Sequence, residues 1–210
     1  MLKLKEVKNY LEVCEVKIFK LLFVILFVAI TFVVGQNYSN ELEVNADDIK
    51  GEDIGTKAEK IPAIQVTLKN TEDVTIGNAT LTEKGDGVEI KVEAHNLSPG
   101  LHGFHIHENG ICEPPDFESA GGHFNPTDKE HGFKNKLGPH AGDLKNLKVE
   151  EDGTVNQTFF NDRVTLKQGE PNSLLQGTSL IIHQDKDDYI SQPSGNSGDR
   201  IACGVISSDN

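Results

Sequence analysis

The sequence predicts an all-β fold: a Greek-key β-barrel or sandwich, immunoglobulin-like, of about eight antiparallel strands with two long functional loops. Three observations predict this fold. Short runs rich in valine, isoleucine and threonine alternate polar and apolar residues at period two. Turn motifs such as KGDG and EEDG separate these runs. Long stretches of helical periodicity are absent from the sequence.

Seven runs follow the strand pattern, and we expect each of them to form a strand. They span residues 63–70, 74–83, 87–97, 103–108, 153–162, 178–184 and 200–207. Alternate residues of a strand point to opposite faces, so each run can place one face in a core. Strands at this spacing over roughly 150 residues are typical of a sandwich or barrel.

Two polar stretches interrupt the strands and are expected to be the functional loops. Residues 109 to about 148 are rich in glycine, proline, asparagine and histidine, and residues 184–199 form the second loop. Loops of this length in a compact domain are either functional or disordered. A disordered segment has no need of Phe117, Phe124 and Phe133 beside its histidines, so we expect an ordered, functional loop.

The N-terminal residues 1–35 are typical of an export signal. Five lysines precede an apolar run over residues 21–34. These fourteen residues match the core of a secretory signal peptide, ~7–15 residues, better than a bilayer span of ~20. We therefore predict cleavage after Gly35, but Ile18 and Phe19 could lengthen the run into an uncleaved membrane anchor. Both alternatives predict an exported protein, which is extracellular, at the cell surface or periplasmic.

The remainder of the chain is predicted to be a linker followed by one domain. Residues 36–60 are polar and contain a single aromatic residue, which predicts a flexible linker. Residues 61–210 carry the strand pattern and form the predicted domain. The formal net charge of the chain, −13, argues against nucleic acid and anionic lipid as partners. An uncleaved N-terminal segment would still tether the domain to a membrane.

Two cysteines, Cys112 and Cys203, lie in the predicted domain, whereas Cys14 precedes the apolar run. An even pair in an oxidising compartment predicts a disulfide. The loop that it would close spans about 90 residues, for which chain entropy predicts ~4–5 kcal/mol of stabilisation. Two reduced, buried cysteines are the alternative.

Histidines are concentrated in and around the predicted loops. His105 and His107 alternate along one run, so their side chains share one face of a strand, with Ile106 on the other. The chain offers seven candidate metal ligands: His105, His107, His123, His131, His140, Asp143 and His183. Imidazole suits copper and zinc, and a carboxylate with three imidazoles suits zinc. Such ligands need no thiolate and leave both cysteines for a disulfide.

Five motifs in order resemble those of one known family. They are GFHIHE (103–108), AGGHFNP (120–126), HAGDL (140–144), IIHQDKDD (181–188) and GDRIACGVI (198–206). On these motifs, the chain resembles the copper/zinc superoxide dismutases over nearly the whole predicted domain. The cysteine eleven residues before the histidine of HFNP is similar to that of the bacterial, exported branch.

The resemblance implies two metal sites, residue by residue. It implies a copper site formed by His105, His107, His123 and His183. It implies a zinc site formed by His123, His131, His140 and Asp143. His123 would then bridge both ions, and the implied cofactors are Cu²⁺ and Zn²⁺.

Further residues receive roles through the same resemblance. Arg200 matches the arginine that guides the substrate anion. Asp187 matches an aspartate that hydrogen-bonds one ligand histidine at each metal, a contact that fixes ring orientation. Cys112 and Cys203 match a disulfide that joins a loop to the last strand, and His102 matches a histidine that locks a loop.

The activity implied by the resemblance is that of a superoxide dismutase, an oxidoreductase whose substrate is the superoxide anion. Copper would cycle between +2 and +1 while two superoxide anions give O₂ and hydrogen peroxide, with His123 and Arg200 as catalytic residues. A metal store without activity and a zinc-loaded structural domain are the alternatives. The complete copper set and Arg200 favour the enzyme, because metal storage needs no anion-guiding arginine. The sequence does not mark the oligomeric state.

Overall fold

A computed structural model describes residues 61–208. These residues form nine strands, which are β1 (Ile64–Asn70), β2 (Thr75–Lys84), β3 (Gly87–Ala94), β4 (Gly100–His102), β5 (Phe104–His107), β6 (Leu147–Val149), β7 (Val155–Asn161), β8 (Thr178–His183) and β9 (Arg200–Ile206). Two 3-10 helices span Glu118–Ala120 and Leu174–Gln176. The predicted N-terminal signal (1–35) and linker (36–60) lie outside the described residues. Within residues 61–208, no helix has the length and apolar character that crossing a membrane would require.

Seven strands form one sheet, and two form a small separate pair. The order in the large sheet is β5-β8-β9-β1-β2-β3-β7, and every pair of neighbours is antiparallel. β4 pairs with β6, also antiparallel. In the pairs β1–β9 and β3–β7, the two strands are distant in the sequence. Such pairing requires the long connections that are typical of a Greek key. The predicted all-β, antiparallel fold is confirmed.

Each of the seven predicted runs contains a strand, and two strands were not predicted. β4 and β6 have three residues each, too few to show an alternating pattern. The prediction of a strand over residues 87–97 is too long, because β3 ends at Ala94. Asn96 has a φ of 60°, a left-handed conformation that no strand continues through. The first loop ends at Asn146, close to the predicted end at about residue 148, because β6 begins at Leu147.

The core of the domain lies against one face of the strands. Fully buried apolar side chains fill it, among them Val66, Leu68, Ile90, Val92, Phe104, Ile106, Leu180 and Ile182. Burial of a side chain of this size stabilises a fold by about 1.5–3 kcal/mol. Phe104 and Ile106 alternate with His105 and His107 along β5, so one strand serves the core and the histidine cluster.

β5 lies at the edge of the large sheet, and the first loop covers its free edge. Isolated β-bridges pair His105 with Asp143 and His107 with His123. The main chain of Ile106 donates to one loop residue and accepts from another, at 2.8 Å in each case. The loop therefore continues the sheet locally, and this pairing brings loop side chains beside the histidines of β5.

Candidate metal centre

Histidines from two strands and one loop converge beside β5. The ligand atoms of His105, His107, His123 and His183 all lie within 4.8 Å of one another. We call these residues the four-histidine group. One nitrogen of each ring is buried without a hydrogen-bond partner: Nδ1 of His105, Nε2 of His107, Nε2 of His123 and Nε2 of His183. A buried polar atom without a partner costs about 1–3 kcal/mol, so four of them together indicate a ligand that takes lone pairs.

The second nitrogen of each ring in the four-histidine group contacts an oxygen. The acceptors are Asp187 Oδ2 for His105 (3.0 Å), the carbonyl of Gly121 for His107 (2.9 Å), Asp143 Oδ1 for His123 (2.8 Å) and the carbonyl of Gly198 for His183 (3.2 Å). Carbonyl and carboxylate oxygens accept hydrogen bonds, so the ring nitrogen opposite carries the lone pair. The donor set therefore consists of four neutral imidazoles, which suits copper.

A second group adjoins the first and contains a carboxylate. The ligand atoms of His123, His131, His140 and Asp143, which we call the carboxylate group, also lie within 4.8 Å of one another. Oδ1 of Asp143 is 2.8, 3.1 and 3.2 Å from the Nδ1 atoms of the three histidines. Ligands at 2.0–2.1 Å from a tetrahedral zinc ion are about 3.3 Å apart, so the spacing fits zinc.

The carboxylate of Asp143 is fixed by its second oxygen. Oδ2 accepts from the main-chain N–H of Gly132 (2.8 Å) and of His140 (3.0 Å), which leaves Oδ1 directed at the histidines. Burial would raise the pKa of this carboxyl, but the contacts with His123, His131 and His140 outweigh burial and hold its pKa well below the usual range. Asp143 is therefore an ionised ligand.

The pKa values of all four histidines in the four-histidine group are lowered. Burial, reinforced by neighbouring imidazoles, holds the pKa values of His105 and His107 well below the usual range. Burial also lowers the pKa of His183 to about 4 and, against the pull of Asp143, lowers that of His123. These imidazoles are neutral at pH 7, the state that binds a metal ion.

The pKa of His131 is shifted upwards, in the opposite direction from the pKa values of the four-histidine group. Burial by itself would lower its pKa, but hydrogen bonds with the carboxylates of Asp143 and Asp187 raise the pKa to about 9. In the metal-free protein this ring is therefore protonated at pH 7. A metal ion that binds to His123, His131, His140 and Asp143 must displace that proton.

Asp187 contacts one histidine of each ligand group. Oδ2 contacts Nε2 of His105 and Oδ1 contacts Nε2 of His131, both at 3.0 Å. Burial would raise the pKa of Asp187, but the two ring contacts outweigh burial and keep its pKa far below normal. One ionised carboxylate thus orients one ring of each group.

Asn146, which the sequence analysis missed, holds Asp187 in place. Its side-chain oxygen accepts from the main-chain N–H of Asp187, and its side-chain nitrogen donates to the carbonyl of Asp187, both at 2.9 Å. The main-chain N–H of Asn146 also donates to the hydroxyl of Tyr189 (2.8 Å). No sequence motif marks this asparagine, because its side chain contacts main-chain atoms of a distant loop.

Arg200 lies at the start of β9 and reaches the edge of the four-histidine group. Its Nη1 donates to the carbonyl of Phe117 (2.7 Å), and its Nη2 donates to the carbonyl of Gly121 (2.8 Å). The same Gly121 oxygen accepts from Nδ1 of His107 (2.9 Å). One carbonyl therefore joins the guanidinium to a ring of the four-histidine group.

A cavity of about 520 Å³ lies beside Arg200. Asp116, Glu118 and Asp199 also line it, so the guanidinium faces a cavity with acidic walls. An anion that enters would be repelled by these side chains and attracted by Arg200.

Cys112 and Cys203 form a disulfide with a Cα–Cα distance of 5.7 Å, which confirms that prediction. Cys203 lies in β9, and both cysteines pack with Phe117 and Ile181 in a small apolar cluster. The bond ties the first loop to β9. It thereby holds the Phe117 carbonyl beside Arg200.

His102 lies outside both groups and contacts main chain. Its Nδ1 is 2.8 Å from the carbonyl oxygen of His183, and its Nε2 is 2.8 Å from that of Ser98. The ring thus links the end of β8 to the turn before β4, which is the locking contact that the resemblance implied.

The sheet and the two adjoining ligand groups are those of a β-protein whose donor atoms are arranged to fit metal ions. Comparison with known proteins gives its family: residues 75–206 match the family model described as copper/zinc superoxide dismutase (SODC). The chain belongs to the copper/zinc superoxide dismutase family. Copper and zinc are the metals of this family, and the donor sets of the two ligand groups fit them.

Relatives cover the described domain well. The Cu-Zn superoxide dismutase 2 of Aquifex aeolicus (strain VF5) is 54% identical over 142 residues, which are 66% of this chain and 83% of the relative. A double mutant of a SOD-like protein from Bacillus subtilis superposes with a TM-score of 0.67 at 48% identity, covering 68% of this chain and 96% of the other. The Cu/Zn superoxide dismutase from Brucella abortus gives a TM-score of 0.59 at 32% identity, covering 69% and 99%.

Proposed function

We propose that this chain is an active superoxide dismutase, which converts two superoxide anions and two protons into O₂ and hydrogen peroxide. The observation that carries the proposal is the convergence of four buried, unpartnered ring nitrogens in the four-histidine group. The family also includes a protein named only dismutase-like, so membership alone does not decide activity. The complete ligand set of this chain supports the enzyme.

We assign copper to the four-histidine group and zinc to the carboxylate group, with His123 in both. Four imidazoles suit copper, whereas three imidazoles with one carboxylate suit zinc. Copper, when bound, supplies the cycle between +2 and +1 that takes an electron from one superoxide and gives it to the next. Zinc has no such cycle, so its residues act by holding His123.

His123 is the residue that we expect to move a proton. Its Nδ1 lies beside Asp143 and faces the proposed zinc site, whereas its Nε2 faces the four-histidine group. We therefore expect Nε2 to be the atom that takes a proton and returns it to the product. Asp187 keeps the neighbouring ring of His105 oriented during the cycle.

Arg200 is the residue that we expect to bind and orient the substrate anion. Its guanidinium is held by the carbonyls of Phe117 and Gly121, so its charge and its fork of donors have a fixed position. Because Asp116 and Glu118 line the adjoining cavity, the attraction by Arg200 must act at close range.

Replacement of Arg200 tests this proposal. Arg200→Ala should slow superoxide consumption at least roughly tenfold, the effect of about 1.4 kcal/mol of lost stabilisation, with little loss of copper. Arg200→Lys keeps the charge without the fork, so its rate of superoxide consumption should lie between those of wild type and Arg200→Ala. Equal activity of wild type and Arg200→Ala would contradict the anion-guiding role. A protein that binds both metals but leaves superoxide unconsumed would be a metal store instead.

We also propose that the protein is exported and protects its compartment from superoxide. The disulfide supports this location, since cytosolic thiols are kept reduced. In this proposal, residues 1–35 are the export signal or anchor, residues 36–60 are the linker, and residues 61–210 are the enzyme domain. N-terminal sequencing of the mature protein tests cleavage after Gly35, and an intact N-terminus would favour the anchor.

A further inference from the structure

A four-residue turn of the first loop, His140–Asp143, is held by the side chains of Asn161, the last residue of β7, and Arg163, two residues further on. Arg163 Nη2 donates to the carbonyl of Asp143 (2.8 Å), and its Nε donates to that of His140 (3.3 Å). Asn161 Nδ2 donates to the carbonyl of Ala141 (2.8 Å). Three of the four carbonyls of the turn therefore accept from these two side chains, and the fourth, that of Gly142, accepts from the main-chain N–H of Ile106 in β5 (2.8 Å).

One of the two side chains projects from the sheet, and the other from the turn that follows it. Asn161 is the last residue of β7, pairs with Val88 of β3, and is fully buried. Its Oδ1 accepts from the main-chain N–H of Arg163 (3.0 Å), which links the two residues to each other. The carbonyl of Arg163 in turn accepts from the side chain of Asn172 (3.1 Å). We call Asn161 and Arg163 the β7 bracket.

We propose that the β7 bracket is a positioning element for the zinc ligands of the proposed function. It would act on His140 and Asp143 through their main chain and so tune zinc affinity. The inference rests on the assignment of zinc to the carboxylate group. No ligand atom of the four-histidine group contacts the bracket directly.

The physical reason is that the turn carries two ligands but has no regular structure of its own. His140 Nδ1 and Asp143 Oδ1 are 3.2 Å apart, and this spacing depends on the four main-chain units between them. Hydrogen bonds to three carbonyls remove the freedom of those units, and pre-organised ligands lose less entropy when the ion binds. An arginine fork reaches two carbonyls at once, which a lysine ammonium cannot reproduce.

Two rival roles of Arg163 can be separated by variants. The guanidinium could act through its charge alone, or by packing on Phe133, whose ring centroid is 5.3 Å away. Arg163→Lys keeps the charge, and Arg163→Met keeps the apolar stem. The matched control is Asp162→Asn, which removes the exposed partner of Arg163 at 3.2 Å and leaves the carbonyl contacts intact.

The test uses the copper-loaded full chain, with Co²⁺ as a spectroscopic probe of the zinc site. We expect Arg163→Lys and Arg163→Met to lower Co²⁺ and Zn²⁺ affinity by about 10- to 100-fold, the range for loss of an orienting contact near a metal. The visible spectrum of bound Co²⁺ should change in both, because it reports ligand geometry. Copper affinity of both variants, and every property of Asp162→Asn, should match wild type.

Two outcomes would overturn the inference. The first is an Arg163→Lys variant with wild-type Co²⁺ affinity and spectrum, which would leave charge as the explanation. The second is an equal loss of copper and zinc affinity with a lower unfolding midpoint, which would show general destabilisation. If the arginine variants fail to fold, Arg163→Gln keeps a single donor nitrogen, and wild-type Co²⁺ affinity in it would refute the two-point contact.

The comparison of metal affinities among these variants does not require the protein to turn over superoxide. A wild-type protein that binds Cu²⁺ and Co²⁺ but leaves superoxide unconsumed would refute the proposed enzyme and leave the bracket open to the same comparison of variants. A wild-type protein that binds neither ion would refute both proposals.

Discussion

His123 belongs to both ligand groups through the two nitrogens of one ring. Nδ1 is 2.8 Å from Asp143, and Nε2 is the buried nitrogen that faces the four-histidine group. The ring centroids of His123 and His105 are 4.0 Å apart. One rigid ring therefore contributes a nitrogen to each group, and its contact with Asp143 fixes the direction of the other nitrogen.

At the residue scale, we expect Asp187→Asn to weaken both proposed metal sites. An amide can accept from one ring but presents an N–H group to the other, so only one of His105 and His131 keeps its orientation. Loss of such a contact lowers metal affinity about 10- to 100-fold. Copper and zinc affinities measured by competition with a chelator check the prediction.

The control for this variant is the neighbouring residue. Asp188 accepts from the main-chain N–H of Ile190 (2.9 Å) and Ser191 (2.8 Å), so Asp188→Asn removes the same charge but perturbs only a turn. Its metal affinities should equal those of wild type. Wild-type affinities in Asp187→Asn would refute the orienting role.

Gly195 offers a second test at the residue scale. Its φ is +69°, and a Cβ added there would collide with Oδ1 of Asp187 and lie 2.8 Å from Nε2 of His131. Gly195→Ala should therefore lower stability by roughly 1–2 kcal/mol through its backbone and also displace Asp187, which lowers metal affinity.

Gly169→Ala isolates the backbone effect. Gly169 has a φ of +85°, and nothing lies within 4 Å of an added Cβ. Thermal unfolding and metal competition should show a similar backbone cost in both variants but a loss of affinity in Gly195→Ala alone. Unchanged affinity in Gly195→Ala would argue against the collision with Asp187.

At the scale of elements, strands β5 and β8 contribute fewer candidate metal ligands than the first loop. β5 and β8 supply His105, His107 and His183, whereas the first loop supplies the other four ligands. Loop ligands need anchors, since an unanchored loop has many conformations to lose when a metal binds. The bridges to β5, the β7 bracket and the disulfide are these anchors.

Removal of the disulfide should be costly for the metal-free protein. The cysteines are 91 residues apart, for which chain entropy predicts ~4–5 kcal/mol. In a domain of this size, Cys112→Ala/Cys203→Ala should lower the thermal midpoint by roughly 8–20 °C. Calorimetry of the metal-free variant, with reduced wild type as the matched control, checks it. A shift of less than about 2 °C in both would refute the estimate.

At the scale of the whole molecule, metal ions should add strongly to stability. The metal-free fold buries four unpartnered ring nitrogens, a cost that bound ions remove. A ligand present at 1,000 times its dissociation constant stabilises by about 4.1 kcal/mol, so each ion should raise the thermal midpoint by roughly 8–16 °C. Unfolding after chelator treatment, followed by reconstitution with Cu²⁺ and Zn²⁺, measures the effect.

Mg²⁺ is the control ion for this experiment, because it prefers oxygen ligands and the donor sets are dominated by imidazole. It should leave the midpoint unchanged. Equal midpoints for chelated and Cu²⁺/Zn²⁺-reconstituted protein would contradict the fit of the two groups to these metals.

Much of the fold could be predicted from sequence because strand alternation is a local property. The seven alternating runs all contain strands, whereas β4 and β6 are too short to alternate and exist through their pairing with each other. The seven candidate ligands were also predicted, since imidazole-rich motifs are visible in the sequence, and the structure brings them into two adjoining groups.

The sequence by itself determined the all-β class, the two loops, the candidate ligands and the identity of the paired cysteines. Only the tertiary structure decided how those ligands are held, through Asn146 behind Asp187 and through the β7 bracket on the His140–Asp143 turn. The reason is physical. A side chain's chemistry and its strand period belong to a short stretch of sequence. A hydrogen bond to a main-chain carbonyl of a distant segment leaves no mark on the residue that accepts it.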